Sequence, residues 1–226
     1  MKHFLYTLLL TIFCSTAFAQ NVNKEAYKRY VDIDKYDQPL DGFVVLSNGT
    51  KEDALIKYEE PYLLFDPTLP LITYKSNNKE KSYLKSKIAA FYVNNQLYIK
   101  EYFENDSSRW VMVVRDGVIR ESVFLSPNKP YEKPDYYTVS RIVTNTYNLN
   151  SYHVGRLAIN FSRNMSSLIS DNKELNQKVI DAEDGFTFIN YQQIIARYNM
   201  WYDEKNPGSI TYILPAPDYQ SLIENK

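Results

Sequence analysis

The chain has 226 residues, with 26 Lys and Arg against 27 Asp and Glu and a formal net charge of −1, so no global field holds nucleic acid or an anionic membrane. One cysteine, two histidines and six isolated glycines exclude a disulfide framework, a histidine-rich zinc or copper centre and the glycine cradles that phosphates and dinucleotides require. No cofactor is expected, and a composition 44% hydrophobic and 15% aromatic is enough for an apolar core.

Met1 to Gln20 reads as a cleavable secretory signal: a basic start at Lys2 and His3, an apolar run from Phe4 to Phe13, and small residues Ala17 and Ala19 before a cut at Gln20. The apolar run is about half the roughly 20 residues that span a bilayer. Acylation of Cys14 is the competing outcome, disfavoured by Phe13 immediately before it. Cleavage after Ala19 removes the cysteine, one histidine and Lys2, and leaves the Lys and Arg residues two short of the acidic ones. The domain is then expected to be exported, periplasmic, outer-membrane-associated or extracellular, with no transmembrane segment in the mature chain.

Residues 20–41 form a polar lead-in. From Gly42 to Tyr152 short β-branched and aromatic runs alternate with turn residues, the pattern of antiparallel strands. The runs are Phe43 to Leu46, Ala54 to Tyr58, Tyr62 to Phe65, Leu71 to Tyr74, Tyr83 to Val93, Leu97 to Phe103, Trp110 to Arg115, Val118 to Phe124 and Tyr136 to Tyr147. Asp116-Gly117 predicts a two-residue hairpin turn that sets Val114 against Ile119, Met112 against Glu121 and Trp110 against Val123. Glu121 then stands alone as a polar residue on the core face. Asn94-Asn95 predicts a second tight hairpin, and Ser47-Asn48-Gly49-Thr50 a longer loop before Ala54. In the second hairpin Phe91 and Tyr98 lie on one face and Ala90 and Ile99 on the other, which means burial on both sides or a surface that meets a ligand.

Residues 153–214 change to helical period: Leu157, Phe161, Met165 and Leu168 on one helix, Glu174 to Val179 on a second, and Ile194, Ile195, Tyr198, Trp201 and Tyr202 on a third, capped by Asn190 and ended by Asn206-Pro207-Gly208. Ile210 to Leu214 reads as a last strand and 215–226 as a tail. The fold expected is one α+β domain, an antiparallel meander of about eight or nine strands, barrel-like if it closes, followed by a helical region.

Catalytic signals are sparse. His153 has no serine on a glycine-flanked turn to activate, and Ser151 is too near it in sequence to serve. Asp32, Asp34, Asp37 and Asp41 form an acidic cluster without the spacing of an EF-hand loop. Carboxylate-only glycoside hydrolysis remains open, with Glu101, Asp116 and Glu121 as the acids on or between strands. Lys75, Lys79, Lys81, Lys85 and Lys87 suggest a solvated basic hairpin loop or a contact for anionic polymers. Twenty-one tyrosines suit half-exposed strands, and equally a surface for sugars, peptides or lipids.

The segments Asp41-Gly-Phe-Val-Val-Leu-Ser-Asn-Gly49, Arg115-Asp-Gly-Val118, Glu174-Leu175 and Ile194-Ile195-Ala-Arg-Tyr-Asn199-Met-Trp201, in that order, resemble small exported proteins of unknown function from Bacteroidota-type bacteria. The resemblance implies an envelope setting and carries no catalytic residue. The function expected is a non-catalytic cell-envelope protein that binds a protein, glycan or lipid partner, the alternatives being a small-ligand carrier with a barrel cavity or a carboxylate-only hydrolase acting on glycans.

Overall fold

Among the described residues, alternating apolar and polar residues build ten strands: β1 Gln38–Leu46, β2 Lys51–Tyr58, β3 Leu71–Tyr74, β4 Glu80–Tyr83, β5 Ile88–Val93, β6 Gln96–Phe103, β7 Ser107–Arg115, β8 Ile119–Pro127, β9 Tyr137–Asn145 and β10 Ser151–His153. The computed structural model describes residues 26–74, 80–103, 107–129, 133–209, 212–214 and 218–224. The signal segment with Cys14, Ala17, Ala19 and Gln20 lies outside them. The strands form one antiparallel sheet in the order β10-β9-β8-β7-β6-β5-β1-β2-β3-β4. With β10 and β4 as two free edges, the sheet is open and encloses no barrel. The helices follow, so the α+β order read from the sequence holds, with ten strands in place of eight or nine.

The helices are α1 Pro61–Leu64, α2 Val154–Ala158, α3 Phe161–Ile169, α4 Lys173–Ile180, α5 Tyr191–Lys205 and α6 Tyr219–Glu224. The described residues fall in two compact units, one within Met1–Asn94 and Phe124–Val139, the other within Asn95–Val123 and Ser140–Lys226.

In the first unit, β1 pairs with β2 through Val44↔Glu52 and Leu40↔Ile56, and with β5 through Val44↔Phe91. Period two then puts Val44, Ile56, Tyr58, Leu71, Phe91 and Val93 on one face, and all are fully buried. Strand β2 starts at Lys51, three residues before Ala54, because the Leu46 amide donates to the Thr50 carbonyl and closes the loop early. Tyr62 to Phe65, expected as a strand, begins with a helical turn instead. Pro61 opens that turn, where its fixed φ and missing N–H fit, and the buried Lys85 ammonium donates to the Leu63 and Asp66 carbonyls at its far end. Lys85 is therefore no part of a solvated loop, and burial lowers its pKa to about 8. Lys75 and Lys79 lie outside the described residues.

Gly42 marks a close approach of backbones. A Cβ there would lie 2.0 Å from the Tyr92 carbonyl oxygen of β5. Gly42→Ala is expected to lower stability by about 1–3 kcal/mol, the cost of an overpacked interior, measured as a drop in denaturation midpoint. An unchanged midpoint would show that β1 and β5 separate freely.

In the second unit the core joins Val118, Ile119 and Val143 of the sheet region to Leu157, Met165, Leu168, Ile169, Val179, Ile194, Ile195 and Tyr198 of the helices. The helix expected through Leu157 and Leu168 is two, α2 and α3. Asn160 breaks it in the left-handed region (φ 58°), and the Asn164 amide donates to the freed Arg156 and Ile159 carbonyls. Asn190 precedes α5 but makes no side-chain cap. Residues 212–214 form no strand, 210 and 211 lie outside the described residues, and the expected tail contains α6, whose Tyr219 is buried. Ala90 and Phe91 of β5 are buried, as are Tyr98 and Ile99 of β6, so each of these strands carries buried side chains on both its faces.

Candidate functional site

Of the three acids singled out in the sequence, Asp116 and Glu121 belong to the β7–β8 hairpin and Glu101 to β6. Observed pairs are Met112↔Val123, Val113↔Ser122 and Arg115↔Glu121, with a bulge between Val113 and Arg115. Relative to the two-residue turn the pairing at Met112 has slipped by two residues, which keeps Met112, Glu121 and Val123 on their predicted face, while the bulge turns Arg115 toward the face of Glu121. The turn is wider because tertiary contacts hold it. The Asp116 carboxylate accepts from the Gly117 amide and from Arg120 Nε at 2.9 Å. Asn199 of α5 brackets the start of β8, accepting from the Ile119 amide at 2.8 Å and donating to its carbonyl at 2.9 Å. Tyr219 of α6 donates to the Asp116 carbonyl.

Glu121 is 1% exposed. Its carboxylate accepts from Arg115, from Arg141 at 3.4 Å, from the Tyr191 hydroxyl at 3.1 Å and from Gln192 Nε2 at 3.3 Å. The polar intruder on the core face thus has four partners. The void beside it measures about 10 Å³, room for at most one water molecule.

Glu101 faces the other side of the sheet. Its partner Arg109 shares a face with Val113, and Val113 opposes Ser122, the neighbour of Glu121 along β8. Glu101 is 7% exposed, and its Oε2 accepts from Ser122 at 3.2 Å and Thr144 at 3.5 Å. Its Oε1 makes no hydrogen bond and stands 3.8 Å from Arg120, the cation that also holds Asp116. Burial raises the Glu101 pKa, with Arg120 opposing. A raised folded-state pKa means that the protonated acid is favoured by folding, so this contribution is full below the ordinary carboxylate range and is lost as pH rises through the raised value. The stability of the native protein relative to Glu101→Gln is accordingly expected to fall as pH rises above the ordinary carboxylate range, measured by urea unfolding of both at each pH. A rising difference would reverse the assignment.

Glu101, Asp116 and Glu121 therefore do not flank a shared cleft. Glu101 and Glu121 point to opposite faces, and all three are buried, where a glycan cannot reach. Ser151 hydrogen-bonds Thr144 at 3.0 Å, and His153 is exposed at the start of α2. Asp32 pairs with Lys35 and Asp37 with Lys57. Among the described residues no group of three His, Cys, Asp or Glu is placed to hold a metal ion.

Several tyrosines serve internal chemistry. Tyr58 and Tyr137 accept the Asp32 and Tyr62 amides in the first unit, and Tyr191, Tyr198 and Tyr219 donate to Glu121, Asp171 and the Asp116 carbonyl in the second. Each buries its ring while its hydroxyl meets a polar atom.

Open grooves are present on both units among the described residues. In the first unit, Asp41, Glu52, Asp53, Thr73, Tyr74, Lys81 and Tyr83 contribute to a groove of about 740 Å³, where Tyr83, Lys81 and Glu52 bond one another. In the second, α4 and α5 line a groove of about 450 Å³ with Lys173, Glu174, Arg197 and Trp201, joined by Phe186 of the connecting loop. Sequence periodicity assigned Trp201 to the core stripe and missed Arg197 beside it. No known protein family, curated protein or solved structure matches this chain.

Proposed function

We propose that this is an exported cell-envelope protein that binds a protein or polymer partner and performs no chemistry on it. The observation that carries the reading is the α4–α5 groove, open and lined by aromatic and charged side chains, while the acids that hydrolysis would use are committed to internal ion pairs. The open sheet supplies no barrel cavity for the carrier alternative. The amino-terminal signal pattern supports export, and among the described residues no helix is long and apolar enough to cross a membrane.

Fractionation of the source cell, with in-cell crosslinking and mass spectrometry of the purified protein, tests the reading. The expected result is envelope residence, a mature terminus at Gln20 and a crosslinked envelope component. Cytoplasmic residence with Met1 retained would overturn it, as would turnover of a glycan library by the purified protein.

A further inference from the structure

The α4–α5 groove has a charge pattern that narrows the ligand. Of its two acids, Asp171 accepts the Tyr198 hydroxyl at 2.8 Å and Glu174 pairs with Lys178 at 2.8 Å. Its other two cations, Lys173 and Arg197, have no carboxylate partner among the described residues. The Arg197 guanidinium lies 5.9 Å from the Phe186 ring centre and the Lys178 ammonium 5.6 Å, so the cations gather around one aromatic ring. Trp201 packs on Tyr198 at 5.6 Å and stays half-buried on the groove wall. Asn172 is already engaged as the cap of α4, accepting the Leu175 amide at 3.0 Å.

A simple anion would be served by the cations alone and would leave the indole unused. An uncharged sugar would stack on Trp201 and leave Lys173 and Arg197 without a counter-charge. The ligand that satisfies both presents an apolar ring face and a carboxylate together, along with hydroxyls for the polar lining. The volume of about 450 Å³ falls within the roughly 300–1,000 Å³ of small-ligand clefts. We propose that the groove binds an acidic oligosaccharide, a hexuronate-bearing glycan whose carboxylate pairs with Arg197 and Lys173 and whose ring lies against Trp201. This rests on the partner-binding reading above and gives that partner a chemical class.

The protein carries its own probe. It has two tryptophans, and Trp110 is fully buried, so a ligand-induced emission change reports Trp201. Titration of the purified protein with trigalacturonate should shift this emission and give a heat of binding that weakens with added salt. Arg197→Gln and Lys173→Gln, both at exposed positions, should each weaken affinity at least tenfold, and Arg163→Gln on the exposed part of α3 should leave it unchanged. Trp201→Phe should abolish the emission signal while the protein stays folded by circular dichroism. Cellotriose, adenosine monophosphate and anionic lipid vesicles serve as competing probes. Absence of trigalacturonate binding, equal binding of cellotriose, preference for the nucleotide or the vesicles, or affinity undiminished in Arg197→Gln would each overturn the assignment. A crosslinked envelope partner that survives Arg197→Gln would sink the glycan site and leave the partner-binding reading standing.

Discussion

Glutamine in place of Glu121 is expected to lower the unfolding free energy by about 3 kcal/mol, read as a lower denaturant midpoint at unchanged slope. The carboxylate is 1% exposed and accepts from Arg115, Arg141, Tyr191 and Gln192. An amide turns one acceptor into a donor aimed at donors, and it removes the counter-charge of two guanidinium groups. The loss falls at the low end of the range for breaking a buried pair because the Arg115 and Arg141 side chains are 24% and 39% exposed and can recover hydration. Tyr191→Phe removes one hydrogen bond to the same carboxylate and should cost about 1 kcal/mol. A catalytic acid would behave in the opposite way, since its amide would keep stability and lose turnover. Unfolding of Glu121→Gln at the wild-type midpoint would show that the cluster is no anchor.

Asn199→Leu is expected to cost about 2–4 kcal/mol, because it leaves a buried backbone N–H and a buried C=O without partners. Asn199 is fully buried and meets the Ile119 amide and carbonyl at 2.8 and 2.9 Å. Leucine fills a similar volume, so the loss reports unmet polar groups and not a cavity. Native-state hydrogen exchange should show the Ile119 amide protected in the wild type and fast in the variant. Equal protection in both would mean that the β7–β8 turn holds itself.

The sheet was readable because period two survives a slipped register. Met112 meets Val123 and not Glu121, yet the core face is the one the alternation predicts. Positive φ at Asn94 and Asn95 likewise follows from residue type alone. What misled was locally convincing chemistry overridden by distant contacts. Tyr62 to Phe65 carries strand-forming residues, but Pro61 and the Lys85 ammonium favour a helical turn. Asp116-Gly117 favours a two-residue turn, but Asn199 and Tyr219 hold a wider one. A signal for one of them was present, since Asn199 sits four residues after Ile195 on the apolar stripe of α5, where a polar residue needs a buried partner. The partners of Glu121 come from β7, β9 and α5, and no spacing rule links Arg115, Arg141 and Gln192. The groove was missed because helical period counts Trp201 as core and cannot tell a wall from an interior.

The clamps on the β7–β8 turn also bear on when this part of the molecule can form. Asn199 reaches back 80 positions to Ile119, and Tyr219 reaches back 103 to Asp116. During synthesis the hairpin therefore emerges long before the side chains that fix its width. Closing such long loops is slow, so the hairpin lacks its final shape until α5 and α6 have left the ribosome. For most of its synthesis the second unit is thus an unfinished chain, open to a chaperone or a protease. A truncation ending after Asn206 should accordingly bury β8 incompletely and be cut there by protease.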